Sequence, residues 1–196
     1  LPATPSYNVC PTTSVHTITS EGDGRQLKSM RWGFLPKWYR TLNGGPLLIN
    51  ARSETIMNKP AFKEACRARR CLIPCDGFYE WHRMEGEKPI PYRVTRSDGE
   101  PLVMAGIWQD WELGGEPLSS CAIVTTDANA KMADIHHRLP VILNSDDWSL
   151  WLGELGNGAA RLMKPVSDDT VDLVRVSQAV NSNRATGLEL WHPLSV

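Results

Sequence analysis

What this chain lacks narrows its class first. It has no appreciable excess of either charge: 21 Lys and Arg stand against 22 Asp and Glu, a net charge of −1. That balance argues against wrapping nucleic acid over the whole surface and leaves only a local basic face for such a partner. No apolar run approaches the roughly 18 residues that cross a bilayer, and Leu1 to Cys10 lacks the charged-then-apolar order of a signal peptide. The five cysteines, at positions 10, 66, 71, 75 and 121, are odd in number and form no CxxC pair, so neither a disulfide framework nor a four-cysteine zinc site is indicated. A soluble protein in a reduced, cytoplasmic setting fits this usage. No repeat of about 20 to 50 residues runs through the chain.

What is present is 196 residues, 41% hydrophobic and 22% charged, enough for one sizeable core. The expectation is a single domain over residues 1–196. The chain begins with Leu1, not Met, and LPATPSYNVCPTT already reads as a structured, proline-bounded segment, so residues preceding Leu1 are expected in the native protein.

Short apolar patches from Val15 to Trp32, broken at Glu21-Gly22-Asp23-Gly24, predict a hairpin. Trp32 to Trp38 groups aromatics around Gly33 and Pro36, which suits a rigid loop, and Leu47-Leu48-Ile49 reads as a short buried strand ending on Asn50. Pro60 opens a helix through Arg69 whose charges, with Arg70 included, sum to +3; a solvated face is the plain reading and a phosphate-facing one the sharper. Cys71 to Trp81, CLIPCDGFYEW, is read as one central strand. Pro91 to Arg96, the turn Ser97-Asp98-Gly99 and Leu102 to Trp108 continue as β-hairpins. Cys121 to Thr126 and Val171 to Val176 are further strands, and Ala128 to Asp134 and Asp146 to Leu152 short helices. The class is therefore α+β, a largely antiparallel, barrel-like sheet with a few short helices.

Three polar clusters sit in apolar surroundings. Strand alternation gives Asp76, Phe78, Glu80 and His82 one side and Cys75, Tyr79 and Trp81 the other, unless Gly77 introduces a bulge. A carboxyl among aromatics, where desolvation disfavours the ionised form, is a candidate proton-transfer group; a strand-end glutamate paired with an arginine is the alternative. His136 and His137, being adjacent, make a poor metal pair, and no Asp, Glu or Cys stands at ligand spacing, so no metal is expected. One histidine acting as a general acid is the better functional reading. Asn50 and Arg52 share a side of an extended chain, where a carboxamide can orient a nucleophile and a guanidinium hold a phosphate; tying down a loop is the alternative.

These motifs together closely resemble the SRAP family, the SOS response-associated peptidase-like proteins that sense abasic sites in DNA. The resemblance rests on YNVCPT (7–12), MRWGFLP (30–36), NARSET (50–55), RCLIPCDGFYEW (70–81) and HHRLPV (136–141), with Val176-Ser177 through Val180-Asn181 and Leu190 as the closing segment. The motifs run in family order over nearly the whole chain.

The resemblance implies a covalent trap. Its nucleophile is an amino-terminal cysteine, exposed when the initiator Met is removed, which condenses with the ring-opened aldehyde of an abasic site and closes to a thiazolidine. No cysteine stands at the start of this chain, so the segment carrying it is expected ahead of Leu1. Asn50 matches the asparagine that positions that cysteine, Glu80 the glutamate that moves protons during imine formation, and His136 the acid assisting ring opening and crosslink reversal. Arg52 and Arg138 match phosphate contacts, with Trp32 and Pro11 lining the DNA channel; core packing is the alternative for Trp32. Single-stranded DNA containing an abasic site is the implied partner, bound by a monomer without metal, cofactor or membrane. Self-removal of Met, a peptidase-type hydrolase reaction, and lyase cleavage at the lesion are implied activities. The rivals are a cysteine peptidase acting on other proteins and a non-catalytic single-strand binding module.

Overall fold

Alternation along the strands sorts the side chains into separate cores. In β4 (Arg70–Cys75), Leu72 faces one way while Cys71 and Ile73 face the other; in β7 (Leu102–Trp111), Ala105 and Ile107 oppose Met104; in β8 (Leu118–Asp127), Ala122 and Val124 oppose Cys121. The first set packs against helix α1 (Pro60–Ala68), through Phe62, Ala65 and Cys66, and against α3 (Trp148–Leu152), through Leu150 and Trp151. The second set closes around Met30 on the opposite face. These positions come from a computed structural model that describes residues 5–22, 24–112, 115 and 117–194.

The remaining elements are β1 (Ser14–Glu21), β2 (Gly24–Trp32), β3 (Asn50–Arg52), β5 (Phe78–His82), β6 (Ile90–Arg96), α2 (Ala130–Ala133), β9 (Arg138–Pro140) and β10 (Val171–Arg175). The larger sheet runs β2-β1-β4-β7-β8-β3, with β9 on β8; the smaller runs β10-β6-β5. β8 also meets β2 in parallel at Arg31↔Ser120 and Trp32↔Cys121, so the pairings β1, β2, β8, β7 and β4 form a ring. The β1–β4 seam is the single pair Ile18↔Leu72, which makes the bonding ring-like without a continuous barrel wall. The α+β class with a largely antiparallel sheet and short helices is what the sequence led us to expect.

Several details differ from that expectation. The stretch 71–81 is not one strand: it leaves the larger sheet at Cys75, turns at Asp76-Gly77 and enters the smaller sheet as β5. Consequently Cys75 packs on the same side as Phe78, and alternation holds only within β5. Ser97-Asp98-Gly99 joins strands of different sheets, so it closes no hairpin. The strand expected over Leu47-Leu48-Ile49 begins instead at Asn50, with Leu47 52% exposed and Leu48 making only an isolated bridge to Phe34. Asp23 of the first hairpin's turn and Leu1 to Thr4 of the proline-bounded segment lie outside the described residues.

Candidate active site

β5 carries Glu80 because its other face is nailed down. Tyr79 and Trp81 pack with Val176, Val180 and Leu190 of the closing segment. The Tyr79 hydroxyl donates to the Tyr7 carbonyl (2.8 Å), and Trp81 Nε1 donates to Asn181 Oδ1 (2.7 Å). The Asn8 amide reaches the same segment, donating to the carbonyls of Ser182 and Ala185, each at 3.0 Å. Two half-buried aromatics with satisfied polar tips fix the strand, and alternation then turns Phe78 and Glu80 the other way.

There Glu80 meets His136. Its Oε2 lies 3.6 Å from His136 Nδ1, and its Oε1 accepts the Trp81 backbone N–H at 3.0 Å. Both side chains are about a quarter exposed, at 24% and 29%, which leaves them open to a substrate while limiting water. Among the described residues no arginine pairs with Glu80, so the strand-end ion-pair alternative does not describe it. The His136 and His137 rings lie against each other, centroids 4.5 Å apart. They sit in the loop ahead of β9, where the backbone is free of strand alternation.

Asn50 and Arg52 flank Ala51, which is fully buried in the helix-covered core. They therefore face the opposite side of the sheet, beside Ile123, the β8 partner of Asn50. Ile123, Trp32 and Phe78 all pack on the Met30–Cys71–Cys121 cluster, so the Asn50 side of β3 and the Glu80 side of β5 border one apolar floor. Asn50 makes no side-chain hydrogen bond to Glu80 or His136 among the described residues. Arg52 is exposed, and its guanidinium has no protein partner among them.

Arg138 differs. Its side chain is only 13% exposed and is held by two carboxylates: Nη1 donates to Glu54 Oε1 (3.0 Å) and Asp127 Oδ1 (2.7 Å), Nη2 to Glu54 Oε2 (2.9 Å) and the Thr125 carbonyl (2.8 Å). The guanidinium holds the Glu54 carboxyl below the usual carboxylate range. Sequence reasoning put Arg138 on phosphate and passed over Glu54, although NARSET contains it; nothing local shows that Glu54 and Arg138 are neighbours across β8.

Trp32 is half-buried against the apolar floor, with Nε1 donating to the Ile49 carbonyl (3.1 Å), so core packing accounts for much of its role. Pro11 and Thr12 are the central residues of a turn that docks on it: the Thr12 N–H donates to the Trp32 carbonyl (2.7 Å). Thr12 has φ +77°, a strained conformation for a β-branched residue. Trp38, 55% exposed, is a large aromatic that sequence reading assigned only to the rigid loop.

The internal cysteines are poor nucleophiles. Burial pushes the Cys75 and Cys121 thiols up to about 12, and raises those of Cys66 and Cys71 as well. Cys10 lies partly buried with its thiol against the Asn8 carbonyl (3.7 Å). The charges expected on the helix face are also partly committed: Arg69 pairs with Glu64 (3.0 Å), and Arg70 donates to the Cys66 and Arg67 carbonyls at the end of α1, each at 2.8 Å.

Comparison with known proteins identifies the family of the chain. The sequence model of the SOS response associated peptidase (SRAP) family matches residues 2–183. The abasic site processing protein YoqW of Bacillus subtilis is 37% identical over 190 residues, covering 95% of this chain and 85% of that protein. The mouse abasic site processing protein HMCES is 34% identical over 231 residues, covering 96% of this chain and 65% of its own length. The crystal structure of a protein from Bacteroides thetaiotaomicron superposes with a TM-score of 0.83 at 28% identity, over 94% of this chain and 82% of that one. With the family motifs in order and relatives above 30% identity over nearly its whole length, this chain belongs to the SRAP family.

Proposed function

We propose that this protein captures abasic sites in single-stranded DNA as a covalent thiazolidine adduct. The observation that carries the reading is the Glu80–His136 contact, 3.6 Å between a carboxylate on β5 of the smaller sheet and an imidazole in the loop ahead of β9. Such a pair can relay protons in both directions. The nucleophile would be the amino-terminal cysteine that the family resemblance implies; none of the five cysteines at positions 10, 66, 71, 75 and 121 stands at an amino terminus.

The chemistry balances without an external reagent. The cysteine α-amine adds to the C1′ aldehyde of the ring-opened sugar. The resulting carbinolamine loses one water to give an imine, and the thiol sulfur adds to the imine carbon while its proton passes to nitrogen. Glu80 would accept the amine proton and return it to the departing hydroxyl; His136 would supply the proton that opens the sugar ring. An α-amine with a pKa near 7.7–8.0 is roughly a tenth to a sixth unprotonated at pH 7, against well under a thousandth for a lysine, which favours the terminal amine as imine former. Thiazolidine closure is then intramolecular. Asn50 would orient the cysteine, Arg52 hold a phosphate, and Trp32 with Pro11 line the channel. Removal of the initiator Met and strand cleavage at the lesion would use the same groups. The raised thiols of Cys66, Cys71, Cys75 and Cys121 count against a peptidase built on an internal cysteine.

The test is the intact mass of full-length protein, with its native amino terminus, after incubation with single-stranded DNA bearing one abasic site. An adduct that disappears when the terminal cysteine is changed, and forms at least tenfold more slowly in Glu80→Gln and Asn50→Ala, is expected. DNA binding without any adduct from the processed wild-type protein would instead establish a binding module.

A further inference from the structure

We propose that Glu54 is a positioning residue for His136, acting through Arg138. This rests on the proposed role of the Glu80–His136 pair. β3 and β9 lie on opposite edges of β8: Arg52 pairs with Thr125 on one edge, and Arg138 with Asp127 on the other. Glu54, just past β3, reaches over the end of β8 and takes both Arg138 Nη atoms in a bidentate bridge at 3.0 and 2.9 Å. The bridge ties the strand that bears Asn50 to the strand that follows His136.

Its effect on His136 runs through the Arg138 peptide. The Arg138 N–H lies 3.2 Å from His136 Nδ1 and the Arg138 carbonyl 3.3 Å from the same atom. When Nδ1 is bare it accepts from the N–H; when it carries a proton it donates to the carbonyl, with Glu80 Oε2 at 3.6 Å as the neighbouring negative charge. One residue's backbone thus serves the ring in either protonation state, as a group that gains and loses a proton each cycle requires. That service depends on where Arg138 sits, and β9 is only three residues long. The anchors of the Arg138 side chain besides Glu54 are the 78% exposed Asp127 and the Thr125 carbonyl and hydroxyl, so Glu54 is the principal clamp.

Among the described residues the titratable groups recorded against the ring are Glu80 from β5 and its neighbour His137; the Arg138 guanidinium is held by Glu54 and Asp127. Glu54 itself does not touch the His136 ring, which makes it a positioning group and not a catalytic one.

The experiment uses full-length protein with its native amino terminus and has two arms. In DNA-free protein, long-range nitrogen–proton spectra of the His136 ring report the Nδ1 hydrogen bond. In single-turnover assays with saturating abasic single-stranded DNA, the rate of adduct formation and the half-saturating DNA concentration are measured separately. Glu54→Ala is expected to shift the Nδ1 resonance towards that of a free imidazole and to slow adduct formation at least tenfold, with half-saturation within twofold. Glu54→Gln, whose single amide oxygen can accept from one Nη, should fall between, and it serves if the alanine variant does not fold. Unchanged ring resonances with a wild-type rate per folded molecule would overturn the proposal, even if stability fell. So would tighter DNA binding at an unchanged rate, which would make Glu54 merely a repulsive charge. If wild-type protein forms no adduct, the abasic-site reading fails while the spectra still test the clamp.

Discussion

Replacing Gly77 by alanine should both destabilise the protein and slow its chemistry, because the turn at Asp76-Gly77 is where the chain passes from one sheet to the other. Gly77 has no left-handed φ; what it requires is space. A Cβ there would press on the Val94 carbonyl oxygen and come within 2.9 Å of Trp191 Cη2 and 3.0 Å of Thr95 Cγ2. Comfortable carbon contacts lie at about 3.5–4.0 Å. The Val94 oxygen belongs to β6, whose residue Val94 is the register partner of Phe78, so it cannot yield alone. Relief requires β5 to move off β6 by roughly 0.5–1 Å, at a cost of about 1–3 kcal/mol for overpacking a rigid site. For a chain of this length that corresponds to a fall in Tm of about 3–9 °C. The displacement is carried to Glu80, two positions beyond Phe78 in β5 and 3.6 Å from His136. A misplacement of that size costs on the order of a hundredfold in rate. Thermal unfolding followed by circular dichroism gives the first quantity, and single-turnover adduct formation below the transition gives the second. A Tm within 1 °C of wild type would refute the packing argument; a lower Tm with an unchanged rate per folded molecule would refute the claim that this turn positions Glu80.

Two further outcomes follow from the charges. Arg52→Ala should leave Tm unchanged, since the side chain is exposed and unpartnered among the described residues, yet weaken binding to single-stranded DNA of any sequence and reduce the salt slope of the affinity by about one contact; an unchanged slope in titrations at several salt concentrations would remove Arg52 from the interface. Glu154 is held at about 2, chiefly by its hydrogen bonds from Arg25 at 2.9 and 2.8 Å. Its folded value lies below the unfolded value of about 4.3, so its contribution is fully present above that unfolded value and is lost as pH falls towards about 2. Because both partners are a quarter or more exposed, the contribution is under about 1 kcal/mol. The stability difference between wild type and Glu154→Gln in chemical denaturation should therefore be largest near pH 7 and shrink steadily below the unfolded value as pH falls through about 2, and a difference independent of pH would contradict this.

The elements with strong local signals were legible in the sequence. Pro60 at the first turn of α1 and the strands of the first hairpin each follow from residues within a few positions of one another. So were the chemical types of the site, since an acid among aromatics, an asparagine beside an arginine and a paired histidine stand out whatever the fold. The family motifs added Pro11 and Trp32, whose neighbourhood the Thr12–Trp32 hydrogen bond makes visible. Three things required the tertiary structure. The run 71–81 has the same apolar character on both sides of Gly77, so only the approach of β6 to that glycine shows where one strand ends and another begins. Whether Glu80 meets an arginine or His136 depends on β5 and the loop before β9 arriving on one face, a matter of sheet order and not of spacing. Arg52 and Arg138 look alike as isolated arginines, yet one is exposed and unpartnered among the described residues while the other is bound by Glu54 and Asp127. Local propensity and alternation act over a few residues and are written in the chain; pairings across β8 are set by long-range packing and appear only once the sheets have formed.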